Sequence, residues 1–116
     1  MAQQSATISA YHAHVYFAAG SLNQAVSLCE NARDNLPVAM GRVHQKRVGP
    51  HPEWSCQLSF SANHIGEVLP WLILNRNGLT VFLHPVTGND LDDHTKYITW
   101  LGDSKPLNIK MFLKKK

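Results

Sequence analysis

YHAHVYF, residues 11–17, sets two histidines two apart in a run otherwise made of strand-forming residues. Side chains alternate across a strand, so Ala13, Val15 and Phe17 share one face while His12, His14 and Tyr16 share the other. The apolar set must turn toward a core. The opposite face then carries a row of imidazoles and a phenol.

The elements that follow decide what covers each face. In GSLNQAVSLCENARDNL, Ser21 and Gln24 stand at capping-box spacing, and Leu22, Val26, Cys29, Ala32 or Arg33, and Leu36 recur at three or four, which predicts an amphipathic helix over 21–36. Pro37 ends it. Residues 38–48 read as a strand that stops at Gly49-Pro50-His51-Pro52, a turn stiffened by two prolines. Trp54, Cys56, Leu58 and Phe60 then alternate with Glu53, Ser55, Gln57 and Ser59, giving a third strand with one apolar face. SANHIGEVLPWLILNR places Ile65, Val68 or Leu69, and Leu72 at helical spacing, with Pro70 expected to kink or split the helix. Leu79 to His84 reads as a fourth strand.

Strand, helix, strand, strand, helix, strand is the split βαββαβ order of an α+β, ferredoxin-like fold, with an antiparallel sheet and both helices on one face. A C-terminal extension follows. Asn89 or Asp90 can cap a short helix in which Leu91, Ile98 and Leu101 share a face, and Gly102 can close it. Leu107, Ile109, Met111 and Leu113 alternate as a possible fifth strand, one that would need a second subunit as its partner.

A chain of 116 residues, 44% of them hydrophobic, has enough core for one domain over 1–116, with 1–7 and 114–116 expected as disordered tails. Lys114, Lys115 and Lys116 supply the whole net charge of +3, so the body is near neutral and lacks the basic stripe that a nucleic-acid binder needs. No apolar run is long enough to span a membrane, and MAQQSATISA lacks the pattern of a signal peptide, which makes a cytoplasmic location the expectation. Cys29 and Cys56 stand apart on apolar faces, as reduced core thiols do.

The chemistry lies on the open face. In the fourth strand Leu79, Val81 and Leu83 take the helix side, leaving Thr80, Phe82 and His84 opposite. The split arrangement puts strand one between strands three and four, so His84 meets His12 and His14, with Ser55, Gln57 and Ser59 on the other side. Three neutral imidazoles on rigid strands suit a mononuclear Zn, Fe, Cu or Ni site; the plain alternative is a polar sheet surface. His51, between two prolines, is either a substrate or proton-transfer group or an exposed turn residue. His44, alternating with Arg42 and Lys46, makes either a cationic wall for a carboxylate or a wet edge strand. His94 reads as a satisfied core histidine and His64 as surface.

YHAHVYF, GRVHQKRVGPHPEWSCQLSF, VLPWLILNRNGLTVFLHPVTGNDLDDH and WLG resemble, in order and spacing, the DOPA 4,5-dioxygenase family of fungal pigment synthesis and its bacterial relatives, over about residues 11–107. The resemblance implies a ferredoxin-like fold of the dimeric α/β-barrel type. It also implies extradiol opening of a catechol by dioxygen, with L-DOPA cut between ring carbons 4 and 5 in the type activity. His12, His14 and His84 fall in the family's histidine motifs and His51 in its GPHP turn.

On that basis His12, His14 and His84 are expected to bind Fe(II), with Zn(II) possible in purified protein, and His51 to act as acid–base group. Arg42, His44, Gln57 and Tyr16 are expected at the substrate. A non-haem Fe(II) oxygenase would commonly use two histidines and a carboxylate. Glu53, the nearest open-face carboxylate by alternation, begins strand three at the far end from His12 and His84, so a three-histidine site is expected, with Glu53 reaching it only from a dimer mate. The competing readings are a metal- or small-molecule-binding dimer without catalysis and a zinc-binding protein.

Overall fold

The alternation of residues 11–17 forms strand β1, Ala10–Phe17, in a computed structural model that describes residues 6–113. Of the tails expected at 1–7 and 114–116, residues 1–5 and 114–116 lie outside the described residues. Strands β2 (Ala39–His44), β3 (Trp54–Ser61), β4 (Val81–Val86) and β5 (Thr99–Leu101) complete one antiparallel sheet in the order β2-β3-β1-β4-β5. The first four strands keep the order that the split arrangement requires, with β1 between β3 and β4. The fold is α+β and ferredoxin-like, with β5 added at the β4 edge.

Helices α1 (Leu22–Asn35) and α2 (Ile65–Asn75) cover the face that carries Ala13, Val15 and Phe17. Cys56, Leu58 and Phe60 of β3, with Val81 and Leu83 of β4, complete that core as alternation requires. The buried stripe of α1 is Ala25, Leu28, Cys29 and Ala32, while Val26, expected in the stripe, is only half-buried. Small residues at 25 and 32 let α1 lie close to the sheet. Ser21 makes no side-chain cap; its hydroxyl turns back to Ala18 in a 3-10 turn, and Gln24 reaches across to the Asn77 carbonyl at 2.6 Å.

Pro70 neither splits α2 nor ends it. Residues 65–75 run through as one helix, with Pro70 on the exposed side where water can satisfy the Gly66 carbonyl that lost its donor. The second strand is shorter than expected, ending at His44, and it carries an irregularity between Met40 and Val43. Among the described residues no helix is long and apolar enough to cross a membrane.

The C-terminal extension departs from the reading of the sequence. Helix α3 is a single turn, Asp90–Asp93, and Ile98 and Leu101 are not on it. Thr99–Leu101 pairs instead with β4, setting Trp100 opposite Phe82. The alternation at 107–113 produces no strand; a 3-10 turn spans Lys110–Phe112, and Asn108 N–H donates to the Pro50 carbonyl at 2.9 Å. Irregular backbone here is tied to the GPHP turn rather than to a ladder.

Candidate metal centre

Register brings the histidines together. His12 lies directly opposite His84 across the β1–β4 pair, and His14 stands opposite Phe82 on that side and Gln57 on the other. One ring nitrogen from each of His12, His14 and His84 falls within 4.8 Å of the others. Nε2 of His14 and Nε2 of His84 are 3.1 Å apart. Two nitrogens sharing one ion at about 2.0–2.1 Å would lie roughly 3.0–3.4 Å apart, so the spacing suits adjacent ligands.

The tautomer of His84 suits a cation as well. Nδ1 of His84 is 2.8 Å from the Pro85 carbonyl, and a carbonyl only accepts, so Nδ1 carries the hydrogen and Nε2 keeps its lone pair. This backbone bond on the far nitrogen is the usual support of a metal-binding imidazole. Without an ion, His14 must supply the hydrogen shared between the two Nε2 atoms. A cation would take that hydrogen's place.

Burial keeps these rings neutral. His84 is pushed down to about 4, chiefly by burial and then by neighbouring imidazoles, against the opposing pull of the Pro85 carbonyl. His14 falls well below the ordinary histidine value through burial first and the His51, His84 and His12 rings after it. His12, half-buried, is lowered less, by burial and His94, with Asp93 pulling the other way. Neutral imidazole is the form that binds a metal, so protons compete poorly for this site near pH 7.

His51 joins them from the GPHP turn. It is buried, its ring centroid lies 4.1 Å from that of His14, and its Nδ1 is 2.7 Å from the Tyr16 hydroxyl. Burial, then His94 and His84, push it down to about 4. Burial and the charge of Glu53 raise Tyr16 above its ordinary value, so the phenol keeps its proton.

The expected substrate groups are spread more widely. Gln57 flanks His14, and Tyr16 is engaged with His51. His44 stands opposite Ser55 on β2, with β3 between it and β1, and Arg42 is exposed at the irregular part of the same strand. Glu53 is not among the three clustered ligand groups.

A profile of the Dopa 4,5-dioxygenase family matches residues 11–111. The chain belongs to that family. It is 32% identical over 111 residues to the DOPA 4,5-dioxygenase of Amanita muscaria, covering 88% of this chain and 49% of that protein. It is 31% identical over 114 residues to an uncharacterized 21.2 kDa protein of Botryotinia fuckeliana, covering 88% of this chain and 62% of the other. The chain thus spans about half to three-fifths of the length of the curated relatives it matches. A crystal structure from Nostoc punctiforme, titled a "putative dioxygenase", superposes with a TM-score of 0.87 at 43% identity, covering 89% of this chain and 90% of that one.

Three residues around the site escaped the reading of the sequence. His94 follows α3 and packs its ring 4.2 Å from His84 and 4.3 Å from Phe112, rather than in the helical core expected for it. Asp93 is buried with both carboxylate oxygens engaged by Thr87, the backbone N–H at 2.9 Å and the hydroxyl at 2.6 Å. Trp100 packs 4.7 Å from Phe82. In this dioxygenase-family chain the DLDDH segment held a signal, a carboxylate and an imidazole side by side just after the strand that bears His84. The strand-like trio Thr99-Trp100-Leu101 held another.

Proposed function

We propose that this chain is a non-haem, metal-dependent dioxygenase that opens a catechol ring in the extradiol manner, with L-DOPA or a related catechol as substrate. The observation that supports it most is the three-nitrogen cluster, with one tautomer fixed from behind, in a chain of the Dopa 4,5-dioxygenase family. His12, His14 and His84 would hold the ion. A bound iron would supply the Lewis acidity and redox capacity that dioxygen chemistry on an aromatic ring requires.

The chain's own residues handle the protons. A catechol hydroxyl must give up a proton, and the ring-opened product must receive one. His51 is neutral and rests against His14, which suits it to that exchange. The Tyr16 hydroxyl can donate to Nδ1 or accept from it, so His51 can carry its hydrogen on either nitrogen. Gln57 offers an amide beside His14 for polar contact with the substrate. Arg42 and His44 of β2 would meet a substrate carboxylate only if it extends beyond β3.

We further propose a homodimer, because Met111, 62% exposed, and Leu113, 50% exposed, flank the Phe112 that packs on His94. Light scattering should give twice the 13.0 kDa of one chain, and a monomer at micromolar concentration would refute it.

The catalytic reading is tested by loading the protein with Fe(II) and offering a panel of catechols in air. A yellow ring-opened semialdehyde is the expected product. If no catechol is opened, the alternative of a metal- or small-molecule-binding protein without catalysis replaces it.

A further inference from the structure

We propose that His94 is a ligand-binding residue of the histidine face, its Nε2 accepting a hydrogen bond from the hydroxyl of an aromatic ligand held at the His12–His14–His84 centre. The proposal rests on the catechol reading above. Nδ1 of His94 lies 2.7 Å from the Asp90 carbonyl, which can only accept, so Nδ1 bears a hydrogen and, in the neutral ring, the lone pair is on Nε2. Among the described residues no hydrogen bond engages that Nε2, and the side chain is half-buried. Its tautomer is therefore fixed in the same way as that of His84.

The ring is held in place from several sides. His84 packs against it at 4.2 Å and Phe112 at 4.3 Å, nearly parallel at 20°. The backbone that carries it is pinned by Asn89, whose side chain accepts from Asp92 N–H at 3.0 Å, and by the two bonds from Thr87 to Asp93. His94 is outside the set of nitrogens that lie within 4.8 Å of one another, so it stands beside the centre rather than in it. Phe112 also borders a cavity of about 550 Å³ between the Gly88–Leu91 loop and Met111–Leu113. A ligand hydroxyl on the His94 side of the centre would meet an acceptor whose ring is already held against His84 and so needs no reorganisation to receive it.

Two substitutions separate a binding role from a structural one. In His94→Asn the amide nitrogen can replace Nδ1 as donor to Asp90, but nothing replaces Nε2. In His94→Gln an amide oxygen can take the place of Nε2, while the donor to Asp90 is lost. The measurement is the absorbance titration of Zn(II)-loaded protein with 4-nitrocatechol, together with zinc content. His94→Asn should bind 4-nitrocatechol about tenfold more weakly than wild type, as loss of one hydrogen bond implies, with His94→Gln closer to wild type and zinc retained in both.

Wild-type affinity in His94→Asn, the reverse order of the two variants, or loss of zinc from both would overturn the proposal. If the Zn(II)-loaded wild type does not bind 4-nitrocatechol at all, the catechol reading falls and this role falls with it.

Discussion

His51 and Tyr16 pair a neutral imidazole with a phenol that keeps its proton, 2.7 Å apart and buried against His14. Such a pair can pass a hydrogen between ring nitrogens without creating a buried charge. His51→Gln should therefore lower turnover by about 10²–10⁴-fold, as removal of an acid–base group typically does, while metal content holds. Loss of the metal in that variant would make His51 a ligand instead. At this scale the sequence was most informative where strand alternation governs. His12, His14 and His84 share a face because period two and the split order leave no other arrangement. His51 was visible through its rigid Pro-His-Pro setting, although not its bond to Tyr16, because a contact between a loop and a strand has no periodicity to reveal it. His94 was misassigned for a related reason: its neighbours are set by one short turn and not by a repeating pattern.

That turn is α3 and the carboxylate that fixes it. Asp93 is 2% exposed and satisfies both donors of Thr87 just after β4, tying the end of the strand that bears His84 to the segment that bears His94. Asp93→Asn would set an NH2 group against one of those donors. A buried group left without a partner costs about 1–3 kcal/mol, so the denaturant midpoint should fall correspondingly. An unchanged midpoint would mean that Asp93 does not hold the segment. A different set of bonds explains why residues 90–101 do not continue as a helix. Leu91, Ile98 and Leu101 have helical spacing, yet the N–H groups of Thr95, Lys96 and Tyr97 all turn to the Asp92 carbonyl and close the turn. Ile98 and Thr99, both β-branched, then favour the extended course that pairs with β4. Alternation in 107–113 misled in the same way, since a strand needs a partner edge as well as a pattern.

Across the whole molecule, the helix face is an apolar core and the other face gathers imidazoles that burial keeps uncharged. This arrangement makes stability depend on pH with a definite sign. His51 and His84 titrate near 4 in the folded chain and near 6.5 when free, so between those values the unfolded chain binds more protons. Stability is then complete above 6.5 and lost as pH falls toward 4, at up to about 1.4 kcal/mol per pH unit for each ring. Denaturation of metal-free protein at successively lower pH should show the midpoint falling across that window; a flat profile would mean that the rings are less buried than they are here. The order of the strands and the two-faced sheet were legible from end to end, because alternation and helix spacing are properties of long segments. The closing of the far edge by β5 was not, because three residues carry too little pattern.

The metal centre is tested by one titration, Fe(II) added to metal-free protein under anaerobic conditions and followed by calorimetry. The wild type should take up one ion per chain, and the His12→Ala, His14→Ala double variant should take up none at the same concentration. Failure of the wild type to bind, or undiminished binding by the double variant, would show that the histidine face is not a metal centre.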